Sequence, residues 1–176
     1  MKKKFSLFLY YLIANRLPAD FFPLGFYFNR LRVFLARNFL TIGEGCKVYP
    51  RVNFGDGNGI VIGNNTTINE NVYIEGAIIG DHVMIAPGVT LYASSHITES
   101  IDIPMKMQGT TAKFPSTIEN DVWVGKNAII MPGLIIETGS IIGAGAVVTK
   151  NVTEFSVMGG VPAKLIKKRS SNFNPV

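Results

Sequence analysis

From residue 118 every sixth position is aliphatic: Ile118, Val124, Ile130, Ile136, Ile142 and Val148. Ile, Leu and Val make up 46 of the 176 residues, so six preset hits in succession would arise by chance about three times in 10,000. The fifth place of each hexad is small or apolar too, as at Val122, Ala128, Leu134, Ser140, Ala146 and Val152. Upstream, the same rule gives Ile79, Ile85 and Leu91, then Ile62, Ile68 and Ile74, and less cleanly Ile42, Val48 and Phe54. A period of six is neither helical nor simple strand alternation, so a repeat architecture must be built from it.

Locally, the fifth place and the next lead place lie two residues apart. In Asp121-Val122-Trp123-Val124-Gly125 both valines therefore point one way and Trp123 the other. Each hexad is one short strand and one turn, with Gly125 and Gly143 supplying backbone freedom after a lead residue. Three hexads close a triangular coil of 18 residues, and coils stack at about 4.8 Å. The expected fold is an all-β parallel β-helix of about five coils, at 42–59, 62–78, 79–96, 118–135 and 136–153. Slips near residues 60 and 78 mark turns of irregular length. Three segments follow: an arm over 1–41, the repeat over 42–153, and a tail over 154–176 expected to form a short helix.

The stretches IGDHVMIAPGVTLYASSH, IENDVWVGKNAIIMPG, IIGAGAVVTKNV and GGVPAKLIKKR resemble, in order and spacing, the hexapeptide-repeat acyltransferases, in particular the branch of maltose, galactoside and capsular polysaccharide O-acetyltransferases. The likeness covers roughly residues 42–169. The general preference for right-handed crossovers would predict a right-handed winding; the resemblance implies a left-handed one, and a homotrimer with active sites between subunits. Carbonic anhydrases of the gamma class share the hexads but need three zinc-binding histidines, and this chain has two histidines. No metal is expected.

The hexads stop at Leu91 and resume in phase at Ile118, leaving 92–117 as a protruding loop of 26 residues. Function gathers on long loops that leave a rigid scaffold. His96 stands at the root of this one. Histidine as a residue type titrates near pH 6.5 and takes up a proton readily around neutrality. Acyl transfer to a hydroxyl needs such a base. The resemblance implies that His96 is this base. Glu99 or Asp102 is a candidate to orient it, whereas His82 falls in a turn slot and reads as exposed and inert.

The resemblance also implies Asn69 as a substrate residue, with Asn71 the neighbouring candidate, and acetyl-CoA as acyl donor; Trp123, outward between two inward valines, either packs in the trimer seam or lines the cleft with the substrate residues. The donor would be met by Lys126, Ala144, Thr149 and Lys150 beside the slender Gly143–Ala146 turn. Its phosphates would meet Lys164 and Lys167, with Lys168 and Arg169 adjacent. Lysine at 164 and 167 keeps the charge of the arginines common there but loses their bidentate fork. Cys46 occupies a small-residue core slot, so no covalent acyl-enzyme is expected.

Residues 1–41 carry Lys2, Lys3, Lys4, Arg16, Arg30, Arg32 and Arg37 against Asp20, a sum of +6. The whole chain is +5, so residues 42–176 total −1. The basic character belongs to the arm, and the body has no electrostatic footprint for nucleic acid. The arm also holds eleven aromatics and predicts two short helices, about 3–16 and 24–38, around LPADFFP. It reads as a cap on the open end of the solenoid. Its aromatic surface beside a cationic excess also favours anionic lipid.

The ten-residue run FSLFLYYLIA is about half of what a bilayer span needs. No convincing cleavage site follows it, so a cytoplasmic location is expected, possible membrane contact being at the inner face. The expected activity is acetyl-CoA-dependent O-acetylation of a sugar hydroxyl, on a free or lipid-linked saccharide, in surface or exopolysaccharide biosynthesis. The alternatives are an N-acetyltransferase of a nucleotide-linked amino sugar and a non-catalytic trimeric scaffold.

Overall fold

The computed structural model describes residues 2–170. Five stacked turns form a three-faced prism. The first turn holds β1 (Thr41–Ile42) and β2 (Lys47–Val48), the second β3 (Ile60–Ile62), β4 (Thr67–Ile68) and β5 (Tyr73–Ile74), and the third β6 (Ala77–Ile79), β7 (Met84–Ile85) and β8 (Thr90–Leu91). After the excursion come β9 (Ser116–Ile118), β10 (Trp123–Val124) and β11 (Ile129–Ile130), then β12 (Ile135–Ile136), β13 (Ile141–Ile142) and β14 (Val147–Val148). A last strand, β15 (Ser156–Gly159), continues the second face.

All pairings between turns are parallel, and they join lead residue to lead residue: Ile62 to Ile79 to Ile118 to Ile136 on the first face, and Ile68 to Ile85 to Val124 to Ile142 on the second. These leads are buried, as are fifth-place residues such as Val122, Ala128 and Ala146. The alternation of the strands thus fills the prism with one set and turns the other outward. Coils stack closely enough that a Cβ on Gly125 would lie 2.6 Å from the Ala144 amide nitrogen, which only glycine avoids. At the corner between the first and second faces, carboxyl and amide side chains form a ladder. Asn64 Oδ1 accepts from the Glu44 amide at 2.9 Å, Asp81 Oδ1 from the Asn64 amide at 2.6 Å, and Asn120 Oδ1 from the Asp81 amide at 2.7 Å.

The arm folds as α1 (Lys2–Leu12), a 3-10 turn at Ala14–Arg16, and α2 (Gly25–Ala36). It lies on the first coil, whose strand β2 would otherwise present an open edge. Asn29 Oδ1 accepts from the Val48 amide at 2.8 Å, and Tyr10 Oη and Asn15 Nδ2 both donate to the Val52 carbonyl. Arg32 is fully buried; its Nε donates to the Val48 carbonyl at 2.6 Å and its Nη atoms to carbonyls of Ala14, Leu17 and Pro18. Burial lowers its pKa, while Tyr10, Asp20 and Tyr49 oppose that.

One expectation needs correction. The tail is not helical: β16 (Lys164–Lys168) runs antiparallel to β15 and closes the other open edge of the second face. That edge offers a row of unpaired backbone groups, and satisfying them outweighs the modest helix propensity of AKLIKK. Residues 171–176 of the expected tail lie outside the described residues. The 92–117 excursion protrudes as expected and carries structure of its own. Thr111 and Phe114 amides donate back to the Ser95 and Ala93 carbonyls, His96 bridges Thr110 antiparallel, and a short helix α3 (Met105–Gln108) forms the tip.

Candidate active site

The third face ends, in each coil, on a residue that follows a buried lead and points outward. Glu75, Tyr92, Met131 and Thr149 occupy these places in successive coils, and their backbones form a ladder: Glu75 donates to Leu91, Tyr92 to Ile130, and Met131 to Val148. The excursion leaves from this edge. It turns back so that Ser95, His96 and Thr110 overhang the column and enclose a cavity of about 340 Å³, lined by Tyr73, Glu75, Tyr92, Ser94, His96 and Met131 among others. His96 is exposed, with its backbone held in the antiparallel bridge. The imidazole is thus fixed at its root and free at its tip.

Glu75 ties this root to the prism. Its Oε2 accepts from the amides of Ala93 at 3.0 Å and Ser94 at 3.2 Å, while Oε1 accepts from the Ser94 hydroxyl. Desolvation raises its pKa, but the Ser94 hydroxyl, the two amides and the Lys113 charge outweigh that and hold it below the usual carboxylate range. The carboxylate therefore stays ionised beside the cavity. Neither Glu99 nor Asp102 accepts a hydrogen bond from His96 among the described residues: Glu99 Oε2 takes the Thr98 amide, and the Asp102 amide donates to Ser100 Oγ. His82 sits exposed in a turn at φ 57°.

Most of the residues expected from the sequence fall on two edges of the prism. Asn69, Asn71, Lys126 and Ala144 all lie in the turns between the second and third faces. Asn69 Nδ2 donates to the Ile85 carbonyl at 2.9 Å and Asn71 adopts φ 60°, so both serve the turn, and neither lines the cavity beside His96. Lys126 and Ala144 are exposed there; a Cβ built on neighbouring Gly145 meets nothing within 4 Å, which leaves open space beside the backbone. Thr149 and Lys150 are exposed on the other edge, the one that carries His96.

Trp123 points outward from the second face, 47% exposed between Met84 and Ile141. Lys164 and Lys167 are exposed on β16, whereas Lys168 and Arg169 are tied back, Lys168 to Thr153 and Glu154, Arg169 to Asp121 at 3.1 Å and to the Gly139 carbonyl. Cys46 is buried with its thiol bonded to the Gly63 carbonyl at 3.0 Å, and desolvation pushes the thiol pKa up.

Tyr73, Glu75, Tyr92 and Met131 are not among the residues that the sequence singled out. The signal was available: each stands directly before or after a third-face lead residue, where the pleat turns side chains outward. Among the described residues no three His, Cys, Asp or Glu side chains cluster as a metal site would need.

A family model described as "Bacterial transferase hexapeptide (six repeats)" matches residues 59–93 and 115–150, breaking where the excursion does. The chain is 40% identical over 133 residues to the galactoside O-acetyltransferase of Escherichia coli (strain K12), covering 74% of this chain. It spans 64% of that relative, just under two thirds of its length. Among solved structures it is similar to a hexapeptide-repeat acetyltransferase of Vibrio cholerae complexed with acetyl coenzyme A, with a TM-score of 0.78 and 30% identity over 95% of this chain and 86% of that one. A galactoside acetyltransferase in complex with coenzyme A gives a TM-score of 0.77 and 32% identity over 95% of this chain and 80% of that one. Sharing its coil and close to a third of its residues with both solved enzymes over most of their length, the chain belongs to the hexapeptide-repeat acetyltransferase family.

Proposed function

We propose that the protein is an acetyl-CoA-dependent O-acetyltransferase that acts on a sugar hydroxyl, with His96 as general base and the site completed by a neighbouring copy in a homotrimer. The observation that carries this reading is an exposed histidine, its backbone held by the bridge to Thr110, on the wall of a cavity of about 340 Å³, large enough for a saccharide unit and lined by Tyr73 and Tyr92. Aromatic rings cover the apolar face of a pyranose while polar groups meet its hydroxyls. In the reaction an imidazole nitrogen takes the hydroxyl proton, the oxygen attacks the thioester carbonyl, and the sulfur leaves and is protonated. The products are an O-acetyl ester and free coenzyme A.

The trimer is supported by the division of residues between edges. Lys126, Ala144 and the open space at Gly145 belong to one edge, and His96, Thr149 and Lys150 to the next. One face separates them, at most about 17 Å for five residues at roughly 3.3 Å each. A rotationally related copy laid against this face supplies the missing edge, as heterologous rings do. The tip of the excursion also exposes Ile101 (98%), Ile103, Met105 and Met107, apolar surface that a neighbouring copy would cover.

The E. coli galactoside O-acetyltransferase likeness supports a sugar acceptor, and surface or exopolysaccharide biosynthesis supplies saccharides of this kind. The test incubates the protein with acetyl-CoA and a panel of free, nucleotide-linked and lipid-linked saccharides, reading thiol release, product mass and lability of the new bond to base. Base-labile esters are expected with wild type, and a loss of about 100-fold to 10,000-fold for His96→Ala. Equal thiol release by both proteins would remove His96 from the role.

A further inference from the structure

Capping uses only the inner side of the arm. On α2, Asn29, Arg32, Leu35 and Ala36 face the prism, while Phe26, Tyr27, Arg30, Leu31 and Phe34 face away. On α1, Ser6 and Tyr10 are buried, while Lys4, Phe5, Phe8 and Leu12 face away. The link between the helices adds Phe21, Phe22 and Leu24, with Phe21 82% and Phe34 66% exposed. Eleven large apolar side chains thus stand exposed on 41 residues, a density that isolated surface apolars do not reach.

We propose that this outer face of the arm is a docking surface for an anionic phospholipid bilayer, on which the protein lies without crossing it. Charge selects the partner. Lys2, Lys4, Arg16 and Arg30 are exposed among the aromatic residues, with Arg30 5.5 Å over the Phe26 ring. The one carboxylate of the arm, Asp20, is neutralised by Lys47 at 3.4 Å, and nearby Glu44 by Arg37 at 2.9 Å. Arg32 contributes nothing outward, being consumed in the cap. A shallow groove of about 420 Å³ runs along α1 with Leu7, Phe8, Tyr11 and Leu12 on its walls and Lys4 and Arg16 at its rim. Apolar walls with cations at the rim match an acyl chain beneath a phosphate.

A second copy meeting the same face would set cation against cation, which disfavours self-association there. Crossing is excluded for the arm by length: α1 and α2 have 11 and 12 residues, against the roughly 20 a span needs, and no described helix is long and apolar enough to cross.

The experiment is flotation of the full-length protein with phosphatidylcholine vesicles, alone or with about one third phosphatidylglycerol, and with sizing of every variant. Wild type is expected to float with the anionic vesicles and far less with the neutral ones, and to be released by salt. Lys2→Gln/Lys4→Gln/Arg16→Gln is expected to weaken partition on the order of a hundredfold, at about fivefold per cation. Phe8→Ser/Phe34→Ser is expected to lose it while the unfolding midpoint and thiol release with a soluble acceptor stay unchanged, since both rings lie outside the cap and the cavity. Absence of wild-type flotation at low salt, equal recovery with neutral vesicles, or serine variants that change oligomeric size and still float would overturn the proposal.

Discussion

Glu75 shows how one side chain serves two levels of the molecule. It belongs to a rung by its backbone and to the excursion by its carboxylate, so the loop that presents His96 is held by an ion. Its pKa is depressed in the folded protein. The tether therefore contributes fully above the ordinary carboxylate range and is lost as pH falls through the depressed value. Amide exchange protection at Ala93 and Ser94 is expected to collapse across that acid window in wild type. In Glu75→Gln it should be about tenfold lower already at neutral pH, since hydrogen bonds to a charged acceptor exceed neutral ones by roughly 1 kcal/mol or more. Protection unchanged by the substitution would mean that the loop is held by its own hairpin alone. The tyrosines act at the same scale: Tyr73→Ala/Tyr92→Ala is expected to raise the acceptor KM about tenfold and spare thiol release to water, checked by initial rates over acceptor concentration.

At the scale of elements, the solenoid has two open edges and closes them differently. The lower edge is covered by helices because Asn29, Tyr10, Asn15 and Arg32 reach the backbone groups of the first coil. The upper edge is paired by β16. Arg32→Ala removes the donor to the buried carbonyls of Val48 and Ala14 and to the part-buried ones of Leu17 and Pro18, and is expected to destabilise by about 3 kcal/mol in urea unfolding. Arg32→Lys recovers only part, since a single ammonium cannot reach in several directions at once. The corner ladder is looser: Asn120→Ala removes one acceptor from the Asp81 amide and should cost about 1 kcal/mol in the same measurement.

For the whole molecule the proposed trimer makes a sharper demand. If His96 and the Ala144 edge meet only across an interface, two inactive variants complement each other. His96→Ala lacks the proposed base, and Ala144→Trp blocks the open space beside Gly145. Co-refolded in equal amounts, they are expected to regain about one quarter of wild-type activity, because half of the imidazole edges and half of the open edges are intact and they pair at random. No recovery, in a mixture shown by mass to contain both chains, would place the whole site within one copy.

The repeat, the inward and outward faces of its strands, the buried leads and the place where the coil is interrupted were all legible in the sequence. These depend on a period, and a period is visible in one dimension because each rung repeats the same local physics. It also reached His96, since the break in that period stands beside it. That AKLIKK is a strand emerges only in the folded chain, because the need for it is an open edge made by residues far away in sequence. Likewise only the fold put Glu75 under Ser94, 19 positions on, and set Asn69 and Lys126 on a different edge from His96. Stacking brings residues 16 or more apart into register and separates neighbours of the same motif around a corner, and no local pattern records which corner a side chain occupies.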